Sequence, residues 1–180
     1  MSRLSGNFAR VSCIEKLVLD FVEASPSGRG CPHHAKGGEG ERQSGESNSS
    51  GPLSIATEPE HPPARKPQLV SLGAGKDSLF FRLMDRGIAP AGGYLEVDFP
   101  AVSSWKARLI ASTPTLSALV NDSYKLVAAD LRDVGRLEDA LVAAGVDFAA
   151  PTIFLAECVL VYMEPAESAA LLQVHTSSVS

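Results

Sequence analysis

One segment limits what this chain can become. It is Leu69-Val70-Ser71-Leu72-Gly73-Ala74-Gly75, followed further on by Glu96-Val97-Asp98-Phe99. An apolar run closed by spaced glycines reads as a buried strand entering a tight turn. The glycines let the backbone turn sharply and come close to a ligand. An acid at the end of the next strand accepts hydrogen bonds from ribose hydroxyls. The pattern therefore predicts an α/β protein that holds an adenosine-containing cofactor.

The rest of the chain from Pro67 onward alternates strand and helix. Strands are read at Gln68–Leu72, Tyr94–Phe99, Lys125–Ala129 and Thr152–Ala156. Asp77 is placed to cap a helix carrying Leu79, Phe80, Leu83 and Met84, and Gly87 to end it. A second helix runs from Pro100 to about Ala111 and includes Val102, Trp105 and Leu109. Asp133 caps a third with Val134, Leu137, Leu141 and Ala144 on one side, and Gly145 follows it. Pro165 fits the first turn of a last helix with Ala169 and Leu172. This order implies right-handed βαβ crossovers and a doubly wound, mainly parallel Rossmann-like sheet. Ile153-Phe154-Leu155-Ala156 fits a strand buried on both faces.

Two segments precede that domain. Residues 1–24 form a helical segment with Val11, Ile14, Leu17, Val18, Phe21 and Val22 at helical spacing. Residues 25–66 turn to Ser, Gly and Pro and read as a disordered insertion, with too little apolar surface to offset the entropy of ordering. Its Cys31, His33 and His34 lack a second ligand pair at zinc spacing, so no metal site is expected. Residues 67–180 are then a partial cofactor-binding domain.

Composition narrows the class. The 180 residues suffice for one domain, and 44% hydrophobic content suffices for its core. A net charge of −5 argues against nucleic acid as an obligatory partner, since a duplex binder clusters Lys and Arg against phosphates. No apolar run of membrane-spanning length or signal-peptide core is present. Three scattered cysteines fit a reducing compartment, so a cytoplasmic monomer is expected.

Ligands in such sheets bind beyond the carboxyl ends of the strands. Those ends carry Gly73-Ala74-Gly75, Asp98, Asp130-Leu131 and Glu157. Each acid has a structural alternative: Asp130 could cap a turn, Glu157 could pair with a lysine, and Asp98 could simply end its strand. Three acids on one rim favour a ligand site. Ser78 and Leu79 stand where a dinucleotide fingerprint has its third glycine. S-adenosylmethionine lacks a phosphate and carries ribose, adenine, a carboxylate and an ammonium. An acidic rim suits it and would repel a pyrophosphate.

Further segments carry a specific resemblance. Gly6-Asn7-Phe8-Ala9-Arg10-Val11, Ser71-Leu72-Gly73-Ala74-Gly75-Lys76-Asp77, Glu96-Val97-Asp98-Phe99-Pro100, Ala129-Asp130-Leu131-Arg132 and the run Leu155–Met163 resemble the leucine carboxyl methyltransferase family. The resemblance spans roughly residues 6–24 and 67–174. It implies a class I S-adenosylmethionine-dependent fold and methylation of the C-terminal leucine carboxylate of the protein phosphatase 2A catalytic subunit. The wybutosine-synthesis methyltransferase acting on transfer RNA shares the glycine loop and the Glu-Val-Asp-Phe-Pro run and is the nearest competitor. The resemblance implies that Arg10 pairs with the cofactor carboxylate and that Gly73, Ala74 and Gly75 contact its methionine part. Asp98 would hold the ribose, Asp130 and Leu131 the adenine edge, and Glu157 the amino-acid end. Phe8 and Tyr162 are candidates for the leucine pocket, although such residues more often serve core or rim packing. From the residues alone, Arg10 reads as a surface cation.

A carboxylate attacking a sulfonium methyl needs no general base, so no catalytic side chain is expected and Cys158 reads as a small buried residue. The family's sheet continues past the fourth strand, whereas residues 174–180 do not resemble that continuation. The expectation is a sheet incomplete at its C-terminus, in a truncated or alternatively spliced product. A non-catalytic fragment with a binding role is the remaining alternative.

Overall fold

The computed structural model describes residues 2–24 and 65–174, with side chains of the first helix from residue 9 onward. The Cys31, His33 and His34 cluster, the Phe8 side chain and nearly all of the 25–66 insertion lie outside the described residues. Of that insertion Arg65 and Lys66 are described, and Arg65 pairs with Asp147 at 2.8 Å.

Four strands, β1 (Gln68–Leu72), β2 (Gly93–Asp98), β3 (Tyr124–Ala128) and β4 (Thr152–Leu155), form one sheet in the order β3-β2-β1-β4. Every pairing is parallel. All five residues of β1 are buried, the pattern of a strand covered on both faces. Register aligns Leu72 with Val97 and Asp98 with Ala128. The carboxyl ends therefore meet along one rim.

Helices cover both faces, as a doubly wound Rossmann-like fold requires. One face packs Leu69, Tyr94 and Tyr124 against α1 (Ser2–Ala24), α2 (Leu79–Asp85) and α3 (Pro100–Ser112). The other packs Val70, Leu72, Leu95 and Val97 against Leu137 and Leu141. Those leucines belong to α5 (Val134–Ala143), which follows the one-turn α4 (Pro114–Ser117). Leu171 of α6 (Pro165–Leu171) closes that side. Each fully buried Leu or Val contributes about 1.5–3 kcal/mol.

Several expectations need correction. Thr152, Ile153, Phe154 and Leu155 are all half-buried, because β4 is an edge of the described sheet. Leu17 is exposed, and Val18 and Val22 carry the buried stripe of α1. In α3 the exposed side holds Trp105 and Leu109, while Ser103, Lys106 and Ile110 are buried. Leu171 rather than Leu172 faces the core of α6. Asp77 caps α2 by accepting from Leu79 N–H at 3.1 Å, although the boundary residue is Ser78. Asp133 caps α5 as expected, through Arg136 N–H.

Candidate cofactor site

The β1 strand is pinned where it ends. Gly73 N–H donates to Val97 O at 2.8 Å, and Asp77 N–H donates to Ala74 O at 2.8 Å, closing a turn. Gly73 has φ +65° and Gly75 φ +49°, a region that costs any side chain energy. A Cβ on Gly73 would stand 2.5 Å from Val159 Cγ2, so only glycine fits against the loop after β4.

Asp98 is aimed by the backbone. Its Oδ2 accepts from Gly75 N–H and its Oδ1 from Phe99 N–H, both at 2.7 Å. No cation pairs with it among the described residues. Each oxygen retains a lone pair for a ligand hydroxyl.

Two cavities meet at Gly73 and Glu157. The first, about 290 Å³, is lined by Gly73, Asp98, Asp130, Leu131, Glu157 and further residues. The second, about 300 Å³, lies between α1 and the glycine loop, with Val11, Ala74, Gly75 and Glu157 in its wall. The site residues expected from sequence thus border one space or the other, except Arg10. Arg10 arrives from α1 and pairs with Glu157 at 2.7 Å. Its helix is held by Glu15, which binds Arg82 of α2 at 3.2 Å and also Arg86. Arg10 is itself exposed, and its bridge to Glu157 lies at the rim.

Asp130 does two things. It faces the first cavity, and it accepts from Arg132 N–H at 3.0 Å, which caps its turn. The Arg132 guanidinium also grips it, with Nη2 at 2.6 Å from Oδ2. Hydrogen bonding from Arg132 holds the Asp130 carboxyl down at about 2. Leu131 is buried in the core and reaches the cavity only as wall.

Apart from Tyr162, a candidate for the leucine pocket, the other lining residues were not read as site residues. Phe99 carries the Arg132 guanidinium over its ring at 5.6 Å. Val159 and Met163 complete the wall. Tyr162 lines the same cavity and is 85% exposed, so it stands at the mouth. Phe99 could have been found, since it adjoins the acid. The Arg132 fork has no sequence signal, because i,i+2 neighbours meet only in a particular turn. Cys158 is not the small buried residue expected. It is exposed, lines the cavity, has φ +55°, and accepts from Arg10 Nη1 at 3.4 Å. The chain bends sharply there as it leaves β4, which turns the thiol outward.

Comparison with known proteins follows the same residues. The model of the family described as "Leucine carboxyl methyltransferase" matches residues 63–176, well over half of the chain. The tRNA wybutosine-synthesizing protein 4 of Homo sapiens is 44% identical over 124 residues, covering 61% of this chain and 18% of that protein. The leucine carboxyl methyltransferase 1 homolog of Arabidopsis thaliana is 38% identical over 121 residues, covering 59% of this chain and 36% of that protein. Leucine carboxyl methyltransferase 1 of Rattus norvegicus is 38% identical over 123 residues, covering 59% and 37%. The chain thus spans less than two-fifths of the length of these relatives. The family match begins after α1, so Arg10 lies outside it.

Proposed function

Because this chain belongs to the leucine carboxyl methyltransferase family, we propose that its rim binds S-adenosylmethionine and serves methyl transfer to a carboxylate. The observation that carries this reading is Asp98. Its carboxylate is oriented by two backbone N–H groups and faces a cavity lined by the glycine turn, where Gly73 packs close against Val159. That arrangement fits a ribose beside a backbone that must come close.

The remaining groups fit the same ligand. Phe99 lines the cavity beside the Asp98 subsite, as does Asp130, whose carboxylate is already engaged by Arg132. Arg10 and Glu157 are opposite charges held together at the junction of the cavities. An α-amino carboxylate presents the complementary pair of charges. When bound, S-adenosylmethionine supplies a sulfonium-activated methyl group. The protein's residues hold the ligand, align an incoming carboxylate oxygen with it and exclude water. Methyl transfer to a carboxylate would give a methyl ester with no proton to move, so no general base would be required of these residues.

For the acceptor we favour the C-terminal leucine of the protein phosphatase 2A catalytic subunit, following the family. Higher identity to the wybutosine-synthesizing proteins, 44% against 38%, supports transfer RNA as the second reading. The net charge of −5 weighs against it. Calorimetric titration with S-adenosylhomocysteine tests the cofactor, and absence of heat at saturating ligand refutes it. Labelled cofactor with the phosphatase subunit tests the acceptor. Label should be lost when the terminal leucine is deleted; label that persists refutes leucine carboxyl methylation. Label entering transfer RNA instead would select the second reading.

A further inference from the structure

Beneath the glycine loop lies a buried charge assembly that the reaction above does not use. Lys106 of α3 is 5% exposed and Glu96 of β2 is 1% exposed, and they form an ion pair. Tyr124 Oη donates to the same carboxylate at 2.8 Å. The second Glu96 oxygen and Tyr94 Oη are buried with no hydrogen-bond partner among the described residues. Burial pushes the Glu96 carboxyl up from its ordinary value, against the pull of Lys106.

Such a pair is a poor way to stabilise a core. Desolvating both charges offsets most of their attraction, and apolar residues of the same size commonly do as well. Its geometry suggests another use. Lys106 Nζ also donates to Asp77 O at 2.7 Å, the last residue of the turn that Ala74 O and Asp77 N–H close. One helical turn earlier, Ser103 Oγ donates to Asp98 O at 3.1 Å. Helix α3 therefore grips both walls of the ligand cradle by their backbone carbonyls. Glu96 lies two residues before Asp98 on the same strand and anchors the lysine.

We propose that Lys106 is a positioning residue, anchored by Glu96, that fixes the glycine turn against Asp98 and so sets the affinity of the cofactor cradle. It touches no ligand and acts through the Asp77 carbonyl. The inference rests on the S-adenosylmethionine reading for its ligand, but not for its mechanics. A methionine would fill the lysine's volume and bury no charge, yet could hold no carbonyl. The Gly75 N–H···Asp98 bond would then lose its support from below.

The test uses the full chain carrying Glu96→Gln with Lys106→Met, which removes both charges and leaves Tyr124 an acceptor. The double variant should melt within a few degrees of the unmodified protein and bind S-adenosylhomocysteine at least tenfold more weakly by calorimetry. Amide exchange at Gly75 should quicken at least tenfold, with β1 unchanged. A folded double variant that binds within twofold, with Gly75 exchange unaltered, overturns the proposal. If that variant does not fold, Lys106→Arg keeps the charge and changes the reach to Asp77. It should show the same two effects, and wild-type values for both would overturn the proposal. If the unmodified protein gives no heat, the cofactor reading fails, and Gly75 exchange alone decides whether Lys106 holds the turn.

Discussion

Gly73 shows how little freedom the site leaves at single positions. Its φ of +65° and the 2.5 Å approach of a notional Cβ to Val159 penalise any side chain. Gly73→Ala should cost about 1–3 kcal/mol of stability, read from denaturant midpoints. Asp98→Asn keeps the shape and loses the charge. It should weaken S-adenosylhomocysteine binding by about 1.5–3 kcal/mol, the range for a hydrogen bond to a charged group, as measured by calorimetry. Arg132 has a signature in pH. A carboxyl depressed from 3.8 to about 2 lends stability above 3.8 that is lost as pH falls towards 2. In Arg132→Gln the Asp130 titration, followed by carbon NMR, should move back up towards 3.8. The glycines and Asp98 were legible in the sequence because their chemistry is local. The Asp130–Arg132 fork and the outward turn of Cys158 were not, since each depends on backbone angles that residue type does not dictate.

At the level of elements, strands were read to within a residue or so, because short apolar segments bounded by turn residues have few other fates. The buried face of α3 was not legible, for a physical reason. Trp105 and Leu109 stand on the exposed side, while Ser103 and Lys106 are buried because carbonyls and Glu96 wait for them. Buried polar groups with prearranged partners are invisible to a hydrophobicity count. The one-turn α4 is too short to carry a hydrophobic period that sequence could show. Glu15 joins α1 to α2 through Arg82 and Arg86. These partners are partly exposed, so Glu15→Ala should cost only about 0.5–1 kcal/mol by denaturation. It should weaken ligand binding as well, because Arg10 rides on the same helix.

Across the whole molecule, the parallel sheet gathers groups from β1, β2, β3 and β4 onto one rim, and the fold class was legible from strand–helix alternation alone. The sheet also gives the molecule its own pH response. The Glu96 carboxyl is raised in the folded state, first by burial. A raised acid lends stability that is fully present below its unfolded value of 4.5 and is lost as pH rises through the folded value. Melting temperature followed upward from pH 4 should show this decline. Glu96→Gln should flatten it while lowering stability throughout, since Lys106 is left charged and unpaired. No described helix is long and apolar enough to cross a membrane.

The Arg10–Glu157 bridge joins two stretches far apart in the chain, one on α1 and one after β4. A ligand held by both partners at once binds only where α1 is docked. Docking and ligand occupancy are then one linked equilibrium, in which each strengthens the other. At a ligand concentration one hundred times its Kd, the docked arrangement gains about 2.7 kcal/mol. For such a ligand, the firmness with which α1 clasps the sheet would report how much of it surrounds the protein.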